Sequence, residues 1–189
     1  MYTEDEYEQF SKKMHETHPR MFSMPYGGFA VGPGWWTIIK SLCANIDSHV
    51  KWKREQRARD LVYNRRLARA IKENSIAPFI DAIKREGNEP SQWQIADAEE
   101  ALRDKAFREV CDRVEHVRAQ QIKEKFGGLR FYYDGGDDEV SGMVRMAEAW
   151  AGYSCEECGA PGERRSGGWI RTLCDEHEEE RQKQMKERM

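Results

Sequence analysis

The sequence predicts an α+β fold in which a charged helical arm interrupts a compact core. Three observations predict this fold. Apolar residues recur every three or four positions through most of the chain, as they do in amphipathic helices. They alternate instead between residues 121 and 134, where Gly127-Gly128 separates two short runs in the manner of a β-hairpin. Between His49 and Glu73 there are nine Lys or Arg against three Asp or Glu, without Pro or Gly, which favours a solvated helix.

The composition excludes several classes of protein. Of the 189 residues, 39% are hydrophobic and 34% are charged, and the formal net charge is −3. No run of roughly 18 apolar residues occurs, so we expect no membrane span. The acidic N-terminus lacks the apolar segment of a signal peptide, and five cysteines do not form an even disulfide framework. These features disfavour a membrane-spanning protein and a disulfide-stabilised secreted one.

The N-terminal elements follow from local signals. Thr3 and Glu6 form a capping box, which predicts a helix over 4–17 that ends at His18-Pro19. The glycine- and proline-rich stretch 19–34 predicts irregular structure with at most a short strand near Phe29. A second helix is expected from Trp35, with a wide apolar stripe that belongs in the core: Trp36, Ile39, Cys43 and Ile46.

The arm is predicted to cover residues 48–117 with two or three helices. Ser75 is expected to cap a short helix that stops at Gly87. Ser91 and Gln94 form a second capping box, and the helix after it is expected to run to about His116. This prediction places Cys111 on an apolar helix face as a buried thiol.

The segment after the hairpin predicts one more helix, over about 138–151. Gly135-Gly136 closes the second strand, and Asp137 or Asp138 can cap the helix. The acidic run 134–138 could also bind a divalent cation, but a turn followed by a cap explains it more simply.

The C-terminal part carries the most specific pattern in the chain. Cys155 and Cys158 form a C-x2-C pair, and after fifteen residues Cys174 and His177 form a C-x2-H pair. Zinc takes four nitrogen or sulfur ligands in a tetrahedron, and two ligands three positions apart can reach one ion from a tight turn. Four protein ligands leave no open position on the metal, so the pattern predicts one structural Zn²⁺.

The surroundings of the four ligands predict the type of finger. Gly159 follows the second cysteine, where such a turn commonly needs positive φ. The spacer can form a hairpin that turns at 166–168, and Cys174 and His177 fall at a helix start. A turn, a hairpin and a helix-borne ligand pair describe a treble-clef-like zinc finger over 153–189.

Basic residues with interleaved aromatics suggest a contact surface for nucleic acid or a partner. For the arm, the alternative is that these residues form a solvated helix face that pairs with acidic residues 97–115. For the finger, the alternative is that the arginines are exposed loop residues without a binding role. No motif places an acid–base pair, so we assign no catalytic residue. The candidate contact residues are Lys51, Trp52, Lys53, Arg54, Arg57, Arg65, Arg66, Arg69, Arg164, Arg165 and Arg171.

Three blocks together resemble a family of small uncharacterised proteins encoded by bacteriophages and prophages. The blocks are His18-Pro-Arg-Met-Phe22 with Gly34-Trp35, then Gln121-Ile-Lys-Glu-Lys-Phe-Gly-Gly-Leu-Arg-Phe-Tyr132, then Cys155–Gly162 with Trp169 and Leu173–His177. The resemblance covers residues 18–46 and 118–177. It implies a phage origin, a bacterial host cytoplasm and a structural zinc. The resembling proteins are shorter and lack much of the arm, which implies that the arm is an insertion.

We therefore expect a core of 1–47 and 118–152, the inserted arm and the zinc finger. The expected function is that of a non-enzymatic accessory protein that binds a host protein or nucleoprotein complex during infection. Direct binding of nucleic acid by the basic arm and the finger is the first alternative, and a nuclease-like enzyme is the second.

Overall fold

The computed structural model describes residues 3–23 and 27–187 and has an α+β fold, as predicted. In chain order the elements are α1 (Glu4–Thr17), β1 (Phe29–Ala30), a 3-10 turn (Pro33–Trp35), α2 (Trp36–Glu73), α3 (Ala77–Arg85), α4 (Gln92–Asp104), β2 (Glu115–Lys125), β3 (Gly128–Gly136), α5 (Asp138–Ala151), β4 (Glu163–Arg165), β5 (Arg171–Leu173) and α6 (Asp175–Glu187). They form two compact units, one of Met1–Lys51 with Val114–Met189 and one of Trp52–Arg113.

The first unit is built around a three-stranded sheet in the order β1-β2-β3. β1 runs parallel to β2, with Phe29 opposite Ile122, and β2 and β3 form the predicted antiparallel hairpin, with Ile122 opposite Phe131. The turn of this hairpin consists of Phe126 and Gly127, one residue earlier than the predicted Gly127-Gly128, because Gly128 begins β3 and pairs with Lys125. Its tight geometry depends on Gly127, whose φ is +75°.

One core joins the helices of the first unit to this sheet. The α2 stripe predicted to be buried is buried at Ile39, Cys43 and Ile46, and Trp36 stacks on Phe10 with ring centroids 4.6 Å apart. The capping box of α1 is present, and Asp137 caps α5 by accepting the Val140 N–H at 3.1 Å. The core therefore joins residues from both ends of the first unit: Phe10, Met14, Phe29, Trp35, Ile39, Ile46, Ile122, Leu129, Phe131, Val140 and Val144.

The second unit, Trp52–Arg113, contains the distal part of α2 together with α3 and α4. Ser91 and Gln94 form the predicted capping box of α4. Ser75 is not the N-cap of α3, because Ile76 takes that position, but the Ser75 hydroxyl accepts the Ala77 N–H at 3.1 Å. Leu67, Ala70 and Ala98 are buried.

The prediction that the helix after Ser91 continues to His116 is wrong. α4 ends at Asp104, Lys105 takes a left-handed conformation with φ of 52°, and residues 105–114 have no regular structure. Cys111 lies in this segment and is half-buried, so it is not on a helix face. The reason is tertiary: the Asn64 side chain accepts the Arg108 N–H at 2.9 Å and donates to the Arg108 carbonyl at 2.8 Å. These bonds replace those that a longer helix would make.

Among the described residues, no helix combines the length and apolar character needed to cross a bilayer.

Candidate metal centre

The four predicted ligands come together in the first unit. The Sγ atoms of Cys155, Cys158 and Cys174 and a ring nitrogen of His177 all lie within 4.8 Å of one another. The four side chains could therefore hold a metal ion.

The distances between these atoms fit a tetrahedral ion. With metal–sulfur bonds of about 2.3 Å, adjacent sulfurs of a tetrahedron are about 3.8 Å apart, and sulfur–nitrogen edges are slightly shorter. The Sγ atoms of Cys158 and Cys174 are 3.8 Å apart. His177 Nδ1 lies 3.6 Å from Cys155 Sγ and 3.1 Å from Cys174 Sγ. The donor set and its size suit Zn²⁺, with Nδ1 of the imidazole as the fourth ligand.

Local structure explains why the ligands converge. Gly159 has φ of +78°, and its N–H donates to the Cys155 carbonyl at 2.8 Å, which closes the turn that presents Cys155 and Cys158. The antiparallel β4–β5 hairpin returns the chain to this turn, and Cys174 directly precedes α6. His177 lies in the first turn of α6, three residues after Cys174, so both side chains reach the same point.

The thiols differ in their electrostatic environment. Burial raises the pKa of the Cys155 thiol, but backbone N–H groups of Cys174, Cys158 and Glu157 stabilise its thiolate, so its pKa is lowered overall. Desolvation, with hydrogen bonds to Cys155 and Cys174, raises the pKa of Cys158 to about 11. Crowding several thiolates without a cation is unfavourable, and a bound Zn²⁺ would remove that cost.

The Gly32–Trp35 loop holds the metal-binding turn against the core. The Gly34 N–H donates to the Glu156 carbonyl at 2.8 Å, and the buried Trp35 indole donates to the Ser154 carbonyl at 2.8 Å. A Cβ atom on Gly34 would lie 2.1 Å from the Cys155 carbonyl oxygen, so the backbones approach as closely as glycine permits. The resemblance blocks that contain Gly34-Trp35 and Cys155 are therefore in direct contact.

The β2–β3 turn holds the other side of the finger. The buried Thr172 hydroxyl donates to the Gly127 carbonyl at 2.6 Å, and the Thr172 carbonyl accepts the Glu156 N–H at 2.9 Å. Arg164 donates to the Phe126 carbonyl. The candidate metal centre is thus connected by hydrogen bonds to the loop before α2 and to the hairpin.

The finger arginines predicted as possible contacts are engaged inside this unit. Arg171 pairs with the buried Glu156 at 3.2 Å and with Glu157 at 2.5 Å. Arg165 pairs with Glu163 at 2.8 Å and also with Asp175. Desolvation raises the pKa of the Glu156 carboxyl, although Arg171 works in the opposite direction. These arginines therefore have structural partners.

Trp169 lies at the surface of the first unit. Its side chain is 73% exposed, so it is neither a core residue nor a cover for the metal. Its indole N–H donates to Glu124 at 3.2 Å, which fixes the ring at the surface.

The predicted contact residues of the arm have varied environments. Arg57 donates to the Cys111 carbonyl, and Arg69 pairs with Glu73 at 2.7 Å. Lys53 lies 5.8 Å from the ring centroid of Trp52, which is exposed. Arg65 and Arg69 are one helical turn apart on α2, and Lys51, Arg54 and Arg66 lie on the same helix.

One polar cluster was missed by sequence reasoning. Nε2 of the largely buried His49 is 2.9 Å from Asp137, and Nδ1 is 3.3 Å from Glu139. The two ring nitrogens face different carboxylates, so this arrangement suits hydrogen bonding that ties α2 to the start of α5. His49 and Asp137 are separated by 88 residues, and no local pattern could have paired them.

Comparison with known proteins adds no relative: no protein-family model, curated protein or solved structure matches this chain.

Proposed function

We propose that the protein holds one structural Zn²⁺ in a treble-clef-like finger. Support comes from the Cys155–Cys158 turn, the β4–β5 hairpin and the α6-borne His177, whose donor atoms have tetrahedral spacing. Four protein ligands fill a tetrahedral ion, so the metal would stabilise the fold and would have no open position for catalysis. Because Gly34 and Thr172 join the finger to the core by hydrogen bonds, metal binding would stabilise the first unit as a whole.

We further propose that this zinc-stabilised unit is a non-enzymatic binding protein of a bacteriophage, acting on a host protein in the bacterial cytoplasm. The observation that carries the binding role is an exposed apolar face on α5. Met146 and Trp150 are one turn apart and are 69% and 62% exposed, and the exposed Tyr153 lies just beyond the end of α5. Beside them α2 contributes Ile38 and Leu42 to a groove of about 480 Å³. Apolar faces of this kind commonly mark protein-binding sites.

Affinity capture from bacterial lysate, with and without nuclease, tests this role. The wild-type protein should retain a defined host protein after nuclease treatment, and the double variant Met146→Ser/Trp150→Ser should lose it. Trp52→Ala, which also removes an exposed tryptophan but outside this face, is the matched control and should retain the host protein. Equal capture by all three proteins would contradict the proposed face.

A second candidate function is direct binding of nucleic acid. The specific observation in its favour is the arginine-rich side of α2 in the second unit, where Arg59, Arg65, Arg66 and Arg69 are exposed or half-exposed. The ion pairs of Arg165 and Arg171 disfavour the finger as part of such a surface.

A further inference from the structure

The second unit contains a groove that the metal centre does not explain. It has a volume of about 590 Å³ and lies between α2, α3 and α4. Its lining includes the apolar side chains of Val62, Phe79 and Ile83, and the rings of Tyr63 and Phe79 are 5.7 Å apart. Ligand-binding clefts have volumes in this range, so the open groove is a candidate binding site.

Arginines give the groove a positive side. Arg59, Arg66 and Arg108 line it, against the two carboxylates of Glu86 and Asp97. Arg59 and Arg66 are seven residues apart on α2, which places them on the same side of the helix. Arg59 is exposed; its ion pair with the exposed Glu55 is long, at 3.9 Å, and its guanidinium also donates to the Gln56 side chain at 2.9 Å, which leaves other N–H groups for a ligand. Within the described part of the chain, the Arg66 guanidinium has no hydrogen-bond or ion-pair partner, so it is available to a ligand.

The flanking surface of α2 extends the positive charge beyond the groove. Arg65 and Arg69 lie close to Arg66 in the sequence and are exposed. Arg69 is held by Glu73 at 2.7 Å, so its charge is partly compensated, whereas Arg65 lies open to solvent. A chain-like anion could therefore contact positive charge in the groove and along α2 at the same time.

Aromatic rings in the groove supply a second kind of contact. Trp93 lines the groove from α4 and is 74% exposed. Also in the lining, the Arg108 guanidinium stacks on Tyr63 with its central carbon 3.9 Å from the ring centroid. Unpaired bases of single strands stack on exposed aromatic rings that lie beside guanidinium groups. The bases of a duplex are already stacked on one another and cannot stack on such a ring.

We propose that the groove lined by Trp93, Arg59 and Arg66 binds single-stranded nucleic acid. An unpaired base stacks on the Trp93 indole, and neighbouring phosphates contact Arg59 and Arg66. The exposed ring and the accessible arginines favour a nucleic acid over an apolar peptide as the ligand. An apolar peptide would bury the guanidinium groups without hydrogen-bond acceptors, whereas phosphates supply them. The proposal concerns a site in the second unit and does not depend on the α5 face or on zinc.

Fluorescence anisotropy with a labelled oligothymidylate of about 20 nucleotides tests the proposal on the full-length, zinc-loaded protein. Stacking on one base predicts that Trp93→Ala weakens binding roughly tenfold, while Trp93→Phe keeps most of the affinity. Arg59→Ala/Arg66→Ala should weaken binding at low salt. The association constant falls as salt rises. In the variant, the slope of its logarithm against the logarithm of the salt concentration should become less steep by about 0.7 for each phosphate that is no longer neutralised.

Matched controls separate the groove from general charge and folding effects. Trp169→Ala and Arg103→Ala remove an exposed tryptophan and an exposed arginine that neither line the groove nor belong to the candidate contact residues, and both should bind the oligonucleotide as wild type does. Circular dichroism and zinc content should be unchanged in every variant, which shows that the second unit and the metal centre are intact.

Three outcomes would overturn the proposal. The first is no oligothymidylate binding at low salt, and the second is equal weakening by groove and control variants. The third is equally effective competition by polyglutamate, which would assign the groove to an acidic protein segment. This inference rests on the second candidate function, so absent oligonucleotide binding with retained host-protein capture would refute both of these and leave the α5 face intact, whereas the reverse result would refute the α5 face alone.

Discussion

Gly34 shows how a single residue without a side chain determines the position of the metal centre. Its N–H binds the Glu156 carbonyl, and its Cα faces the carbonyl of Cys155 at a distance that leaves no room for a methyl group. Its neighbour Trp35 is fully buried and bonds to Ser154. Gly34 therefore acts through close packing of two backbones, and its own φ is not in the left-handed region.

Gly34→Ala should lower the free energy of unfolding by about 3 kcal/mol, because the new methyl group overlaps backbone atoms that cannot rotate away. Chemical denaturation measures this change. Gly87→Ala is the control: nothing lies within 4 Å of its Cβ position, and only its φ of +80° opposes the substitution. We expect a loss of about 1 kcal/mol there. Equal losses at the two sites would contradict the close contact.

Cys158→Ser tests the metal ligands. A hydroxyl is a poor zinc ligand, so the variant should lose the metal measured by plasma emission spectroscopy and should melt at a lower temperature. Cys111→Ser changes a half-buried thiol outside the cluster and should keep one zinc per chain. Full zinc content and an unchanged melting temperature in Cys158→Ser would refute the proposed centre.

Arg171 tests the buried ion pair beside the centre. Arg171→Met would leave Glu156 buried without its cation and should lower the free energy of unfolding by about 2 kcal/mol or more. Adding Glu156→Gln should recover part of that loss, because a neutral amide needs no counter-charge. Additive losses in the double variant, measured by denaturation, would contradict this coupling.

At the scale of elements, the end of α4 depends on a side chain from another helix. Residues 105–114 contain apolar positions that match a helical period, yet Asn64 of α2 bonds both backbone groups of Arg108. The same segment is held by Arg57 through the Cys111 carbonyl. Helix propensity in this segment is weak compared with such tertiary bonds.

Asn64→Ala should release this segment. Loss of two hydrogen bonds predicts a stability decrease of about 1–2 kcal/mol, and amide hydrogen exchange at Arg108 should accelerate. Asn88→Ala is the control, because Asn88 is exposed and its side chain makes only a long 3.5 Å contact with the Glu86 carbonyl. Unchanged exchange at Arg108 in Asn64→Ala would show that other contacts hold the segment.

At the scale of the whole molecule, the chain forms two units, and the boundary between them falls within the residues of α2. Residues up to Lys51 belong to the sheet-containing unit, and residues from Trp52 belong to the second. Both the core and the metal centre lie in the first unit. Folding of that unit should therefore not require the other.

Replacing residues 52–113 by a flexible linker of about ten residues should leave a folded protein that binds one zinc. Zinc analysis and near-ultraviolet circular dichroism, which reports packing around Trp35, measure the result. After a chelator has removed its zinc, the deletion variant should unfold at a lower temperature than the same variant with zinc bound. A deletion variant that cannot fold with zinc would show that the arm contributes to the core.

The sequence by itself determined the features that depend on neighbours along the chain. Capping boxes, the Asp137 cap and the two ligand pairs each lie within a few residues, where spacing dictates geometry. Only the tertiary structure decided which distant groups meet. It paired His49 with Asp137, engaged Arg171 with Glu156, ended α4 through Asn64 and opened the groove beside Trp93. Such contacts depend on how whole elements pack, and periodicity in one segment carries no information about the partner it will meet.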